Sequence, residues 1–456
     1  MAEAMAVIMA AGEGKRMKSK FPKPLFTLCG RPMLEYILEA ACEATGAKPV
    51  IIVGKDGQQI FSGYAERADF AVQEVQRGTG HAVMMARKYL EKGPELVLVI
   101  AGDTPLIAAK TLKRLIAAAG NASAAVLTAK FQDPSGYGRI IRNGDQVAKI
   151  IEERDCSPKE KAINEINASM YCFKTKKLLA ALDGLENDNA QGEYYLTDCI
   201  AILAGKGERV AAVETTEEEC LGINDREQLA MVRRLIAKRI NRRLMMEGVT
   251  LIDPGDTYID YGVRIGRDTV VYPGVFLEGS TEVGEDCILY PGSRINGSVI
   301  GNGVKIQNSV ILQSSIGDGS VIGPYAYLRP NSHIGKKCRV GDFVEVKNSE
   351  IGDGSKVSHL SYIGDGVVGK DCNIGCGAVF VNYDGANKYK TIVEDGVFIG
   401  CNVNLIAPVT VKKDAYIAAG STVTDDVPEG ALCIGRERQV IKEGWREKWL
   451  KNKDLK

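Results

Sequence analysis

Two folds in tandem are predicted by this sequence: an α/β domain of doubly wound type, followed by a parallel β-helix built from hexapeptide repeats. The strongest observation is an aliphatic residue every sixth position in the second half. It runs through Ile265, Val271, Leu277, Val283, Leu289 and Ile295, then Ile316, Ile322, Leu328, Ile334, Val340 and Val346. It continues at Ile351, Val357 and Ile363, at Val368, Ile374 and Phe380, and from Val393 through Ile399, Leu405, Val411 and Ile417 to Val423. Six residues fits neither a 3.6-residue helix nor a long two-residue alternation. It fits a solenoid in which each short strand sends one side chain into a narrow core. The second observation is that the first half alternates apolar strand-like runs with helical patterns. The third is length, since 456 residues exceed one ordinary core.

Taken in order, Met5–Ala10 and Leu96–Ala101 are continuous apolar runs of the kind buried in a parallel sheet. Helical patterns over Pro32–Thr45 and His81–Glu91 lie around them, so ligands are expected at the carboxyl ends of the strands. From Asp225 a basic amphipathic helix reads as a connector. The expected division is residues 1–224, a linker helix at 225–248, and a repeat domain at 249–456. The six-residue step is interrupted once: Phe380 to Val393 is thirteen residues, one more than two repeats. A polar loop that breaks a solenoid is a favoured place for a binding site. After Val423 the repeat stops, and Val440–Lys456, with Trp445 and Trp449 among Lys and Arg, is expected to be a short cap or arm.

Composition excludes several classes. Fifty-eight basic and 58 acidic residues cancel, which argues against nucleic acid as a bulk electrostatic partner. No apolar run reaches the roughly 18 residues of a membrane span. The N-terminus enters a strand at once without the regions of a signal peptide, so a cytoplasmic protein is expected. Twelve scattered cysteines without paired spacing are expected to be reduced thiols, not zinc ligands or disulfides.

The first chemical motif follows the first strand: Ala10-Ala11-Gly12-Glu13-Gly14-Lys15-Arg16, then Phe21-Pro22-Lys23-Pro24. Glycines after a buried strand let backbone N–H groups approach phosphates, and Arg16 and Lys23 can neutralise their charge. The spacing is neither a Walker loop nor a dinucleotide fingerprint. Combined with the Lys23 segment, it resembles the signature of the sugar-phosphate nucleotidylyltransferases. Gln73, Gly78-Thr79, Ala101-Gly102-Asp103, Gly136-Tyr137-Gly138, Glu152, Asn167 and Gly222-Ile223-Asn224 follow in that family's order. In the second half Tyr327–Pro330, Phe343–Lys347, Ser358–Asp365 and Asn382–Lys388 resemble an acetyltransferase site.

The whole chain therefore resembles the bifunctional bacterial family that joins an N-acetylglucosamine-1-phosphate uridyltransferase to a glucosamine-1-phosphate N-acetyltransferase. The resemblance implies a left-handed β-helix, a homotrimer, and synthesis of UDP-N-acetylglucosamine for peptidoglycan and lipopolysaccharide precursors. It implies UTP and acetyl-coenzyme A as co-substrates and Mg²⁺ held by Asp103 and Asn224. It places the nucleotide and its sugar on Ala10, Ala11, Gly12, Lys23, Gln73, Gly78, Thr79, Ala101, Gly102, Asp103, Gly138, Glu152, Asn167 and Asn224, with Arg16 and Lys23 catalytic. Glucosamine 1-phosphate is assigned to Arg329, Lys347, Tyr362, Asn373 and Lys388. Acetyl-coenzyme A is assigned to Cys376, Asn382, Tyr383, Cys401, Ala419 and Arg436. A base working near neutral pH suits histidine, whose ordinary pKa is about 6.5, and His359 lies in the matched stretch whereas His333 has no matched neighbours.

Cys401 stands where the family usually has Ser and Cys376 where it has Ala, yet both stay small. Two rival readings are an adenylyltransferase whose repeats only regulate, and a non-catalytic assembly subunit of the same plan. A structural solenoid has no need of Arg329, Lys347, His359 and Lys388 together, and an inactive subunit would be expected to lose Arg16, Lys23 or Asp103.

Overall fold

The computed structural model describes residues 3–453 apart from 13 and 56, so Glu13 of the glycine-rich loop lies outside the described residues. The chain divides into two compact units, Met1–Ile236 and Ala237–Lys456. The division falls inside the basic helix Arg226–Met246.

The first unit is built on a seven-strand sheet in the order Val210–Glu214, Ala124–Lys130, Glu165–Lys174, Leu96–Ala101, Ala4–Ala10, Val50–Gly54, Asp69–Gln73. Neighbours are parallel except that Glu165–Lys174 runs antiparallel to both strands beside it. The sheet is therefore mixed, whereas the apolar runs alone suggested a parallel one. A strand covered on both faces reads as a continuous apolar run whichever way it points, so direction is hidden. A hairpin, Arg139–Asn143 with Gln146–Ile151, attaches to the antiparallel strand. The helical pattern at His81–Glu91 resolves into two short helices, Thr79–Met85 and Arg87–Leu90, meeting at Ala86. Val7, Ile8, Val97, Leu98, Val99 and Ile100 are wholly buried in the two central strands. This rigid centre fixes the loops at its carboxyl edge.

The second unit is a parallel β-helix of the left-handed class, with three ladders of eleven, ten and nine strands. Every aliphatic residue of the six-residue ruler, and Phe380 with them, is buried. The segment 296–315, where the ruler was not read, continues the core through Ile300, Ile306 and Ile311. Three of the four steps from Ile295 to Ile316 are of five residues in place of six, which hides the period. The break after Phe380 is a loop closed by a bridge between Tyr383 and Lys388. Beyond the last ladder strand, the arm forms an exposed helix at Trp445–Lys453, with Trp445 stacked on Trp449. None of the twelve cysteines forms a disulfide, and eight are buried. Among the described residues no helix is long and apolar enough to cross a membrane.

Candidate active sites

In the first unit a cleft of about 440 Å³ opens at the carboxyl edge of the sheet, where ligands bind open α/β folds. All fourteen residues expected around the nucleotide and its sugar line it, from Ala10, Ala11 and Gly12 to Glu152, Asn167 and Asn224, together with Arg16. Ala10 and Ala101 end the two central strands, which pair through Met9 and Ala101. Gly102 then passes so near that a Cβ would lie 2.5 Å from the Met9 carbonyl oxygen. Only glycine lets the backbone turn there and present Asp103 to the cleft.

Lys23 joins residues far apart in sequence. Its Nζ donates to Asp103 Oδ2 at 2.7 Å and to Asn224 Oδ1 at 3.1 Å. Two oxygens thus converge on one positive charge. Among the described residues no group of three or more His, Cys, Asp or Glu gathers as a metal site. One carboxylate and one amide oxygen suit a hard cation that takes its remaining ligands from water and substrate phosphates.

Glu152 accepts from the Thr197 hydroxyl at 3.1 Å. Burial pushes its carboxyl above the usual range, the Thr197 bond works against that, and Asp198, Asp155 and Glu193 add repulsion. Asn167 is buried and donates to Tyr171. Gln73 contacts His81 Nδ1 at 3.0 Å and donates to the Gly78 carbonyl, which stiffens the loop that carries Gly78 and Thr79. Gln76 was not singled out by the sequence, although it lines the cleft and donates to the Ala11 carbonyl at 2.5 Å. It lies between two motifs that were read, and a lone glutamine carries no signal of its own.

In the second unit a basin of about 450 Å³ is lined by Arg329, Pro330, Asn331, Lys347, Asn348, Asp365 and Lys388. Arg329 pairs with Glu345 at 2.9 Å, and Lys347 lies 3.5 Å from Asp365 Oδ2. The Lys347 ammonium holds the Lys388 amine below the usual lysine range. Burial alone would raise the Asp365 carboxyl, but bonds from Asn348 and Asn382 and the Lys347 charge outweigh it and hold it low. Three cations beside two carboxylates, Glu345 on Arg329 and Asp365 on Lys347, leave a net positive basin suited to an anion such as a sugar phosphate. Tyr362 sits on the same ladder as Glu345, directly in register with it.

His359 and Asn373 are not part of this basin. They lie on a different ladder of the solenoid, where Asn373 pairs with Lys356, three residues before His359. His359 is half-exposed, and its Nδ1 contacts Asp342 Oδ2 at 3.2 Å.

Cys376, Cys401, Ala419 and Arg436 form a column along one corner. Asn402 N donates to Cys376 O, Gly420 N donates to Cys401 O, and a Cβ on Gly420 would lie 3.4 Å from Arg436 Cδ. Cys401 is exposed and Cys376 half-buried. Asn382, expected with this column, is buried and donates to Asp365, which lines the basin. Tyr383 caps its own loop by donating to Gly385 O at 2.5 Å.

Comparison with known proteins agrees with two fused catalytic units. A MobA-like NTP transferase domain matches residues 6–201, and a GMPPB C-terminal domain matches residues 313–384. The bifunctional protein GlmU of Geobacillus sp. (strain WCH70) is 51% identical over 449 residues, covering 98% of each chain. That of Clostridioides difficile (strain 630) is 51% identical over 448 residues, covering 97% of each. That of Clostridium perfringens (strain ATCC 13124) is 52% identical over 446 residues, covering 97% of this chain and 98% of the relative. With half its residues shared along nearly the full length of such relatives, this chain belongs to the family of bifunctional GlmU proteins.

Proposed function

We infer that the two sites act in succession on one amino-sugar phosphate. The protein is a bifunctional transferase of UDP-N-acetylglucosamine synthesis, with an acetyltransferase in the solenoid and a uridylyltransferase in the α/β unit. Glucosamine 1-phosphate is first acetylated from acetyl-coenzyme A. The resulting N-acetylglucosamine 1-phosphate then attacks the α-phosphorus of UTP, and pyrophosphate leaves. The observation that carries this reading is that one unit holds a cleft lined by Arg16, Lys23 and Asp103 while the other holds a basin lined by Arg329, Lys347 and Lys388.

In the uridylyl site, transfer needs positioning and charge neutralisation more than a protein nucleophile. Arg16 and Lys23 hold the triphosphate. Gln73, Gly78 and Thr79 bound the base, while Glu152 and Asn167 take the sugar. Asp103 and Asn224 would hold Mg²⁺, which when bound neutralises charge on the phosphates. The convergence of both oxygens on the Lys23 ammonium supports that assignment.

In the acetyl site, Arg329, Lys347 and Lys388 hold the sugar phosphate and His359 is the base. The substrate reacts as its neutral amine, its ammonium form having lost a proton to solvent, and His359 takes the proton that the amine nitrogen sheds as it attacks the thioester. Glu345 and Asn382 orient this machinery, and Tyr362 faces the reacting centre. The corner column of Cys376, Cys401, Ala419 and Arg436 takes acetyl-coenzyme A, with Arg436 on a phosphate.

The acetyl site is completed in a homotrimer. His359 and Asn373 stand on one ladder and the cation basin on another, so junctions between chains can bring the two sets together. Exposed apolar residues follow the same corner beside His359: Tyr325, Phe343 and Leu360 are 56–59% exposed and lie at φ of 47–59°. A left-handed conformation costs such side chains about 1–2 kcal/mol each, which an interface would offset. The protein acts in the cytoplasm, as its thiols suggest. The test is separate assay of the two transfers in Asp103→Asn and His359→Ala. Each variant should lose one activity only, and loss of both in either variant would overturn the division. A stable, fully active monomer in sedimentation would overturn the trimer.

A further inference from the structure

The imidazole assigned as the base has a fixed carboxylate neighbour. His359 Nδ1 and Asp342 Oδ2 are 3.2 Å apart, and the residues are 17 positions apart, one coil of the solenoid. The ladder pairs Asp342 directly with His359. Leu360 N donates to Asp342 O at 2.9 Å. Gly341 runs so close to the next coil that a Cβ would lie 2.0 Å from the Ser358 carbonyl oxygen. Coil spacing therefore sets this pair, whereas an ordinary surface ion pair depends on two long side chains finding each other. His333, the other histidine of the solenoid, contacts the Ser315 hydroxyl instead. The carboxyl of Asp342 is held below its usual range by the His359 bond and by Arg339, against a small effect of burial. Lys356, on the His359 strand, pairs in register with Arg339.

The geometry points to Asp342 as a positioning residue for acetyl transfer, a role that rests on His359 being the base. Its carboxylate accepts the Nδ1–H, which selects the tautomer with a free lone pair on Nε2. As the amine nitrogen bonds to the acetyl carbon, Nε2 takes the proton that the amine loses. The imidazolium so formed is stabilised by Asp342. When the C–S bond breaks, that proton passes to the departing thiolate, and the Nδ1 proton stays in place throughout.

The experiment uses the full chain with both activities assayed. Asp342→Ala should lower kcat for acetyl transfer by about tenfold to a hundredfold, with KM for both substrates within about twofold. Uridylyl transfer and the thermal transition of the solenoid should stay as in the parent. Asp342→Asn, which keeps an acceptor but not the charge, should fall between. Adding Asp342→Ala to His359→Ala should lower the rate no further. Wild-type kcat in Asp342→Ala, a loss confined to KM, or an additive loss in the double variant would overturn the positioning role. If His359→Ala itself retains acetyl transfer, the base assignment falls and this inference with it.

Discussion

The two sites are assembled on opposite principles. The α/β cleft gathers its groups across the whole unit, as when Lys23 meets Asn224, 201 residues away. The solenoid builds from adjacent coils: Arg329 with Glu345, Lys347 with Asp365, and Asp342 with His359 are all 16–18 residues apart. In a repeat fold each coil touches only its neighbours, so register alone chooses partners. In the cleft the sheet order chooses them. A local lesion should therefore act differently in the two units.

The largest effect is expected from the solenoid core. Phe380 is fully buried, with its ring against Gly366. Phe380→Ala should cost about 3–5 kcal/mol and lower the melting transition of the second unit. Uridylyl transfer should survive at temperatures where acetyl transfer is lost. If the two activities fail at the same temperature, the units are not independent and the contrast breaks.

Next come the paired active-site variants. Asp103→Asn should reduce uridylyl turnover about a hundredfold and spare acetyl transfer, while His359→Ala should do the reverse to a similar extent. Near-normal uridylyl transfer in Asp103→Asn at ordinary Mg²⁺ would refute its assignment. A smaller change is expected from Arg329→Ala. Removing one charged hydrogen-bonding group should raise KM for glucosamine 1-phosphate about tenfold, with kcat and the KM for acetyl-coenzyme A little changed. An unaltered KM would place the sugar phosphate elsewhere.

The smallest effect concerns Glu152, whose carboxyl is raised mainly by burial. A raised folded value means that this group favours the fold when protonated, and that the benefit is lost as pH rises through the folded value. Glu152→Gln should therefore raise the melting temperature of the first unit near pH 7. That gain should vanish below about pH 4, where both states of the wild type are protonated. The same variant should bind the sugar less well. A gain that grows at low pH would contradict the sign.

The contrast also explains what could be read in advance. Spacing alone identified the solenoid, because one inward aliphatic residue per short strand leaves a six-residue trace. It fails at 296–315, where three of four steps shorten to five and Ile300, Ile306 and Ile311 fall out of phase. Resemblance in motif order supplied the cleft residues, and all of them line one cavity. It did not supply Gln76, which has no motif, or the bond from Asn382 to Asp365.

By itself, then, the sequence determined the two fold types, the solenoid core and the residue types of both sites. These are local properties: periodicity, glycine turns and short ordered motifs. Only the tertiary structure decided the antiparallel course of Glu165–Lys174, the meeting of Lys23 with Asp103 and Asn224, and the contact of Asp342 with His359. Strand direction leaves no mark on a strand buried on both faces, and partners across a sheet or between coils are chosen by backbone register, which no single segment encodes.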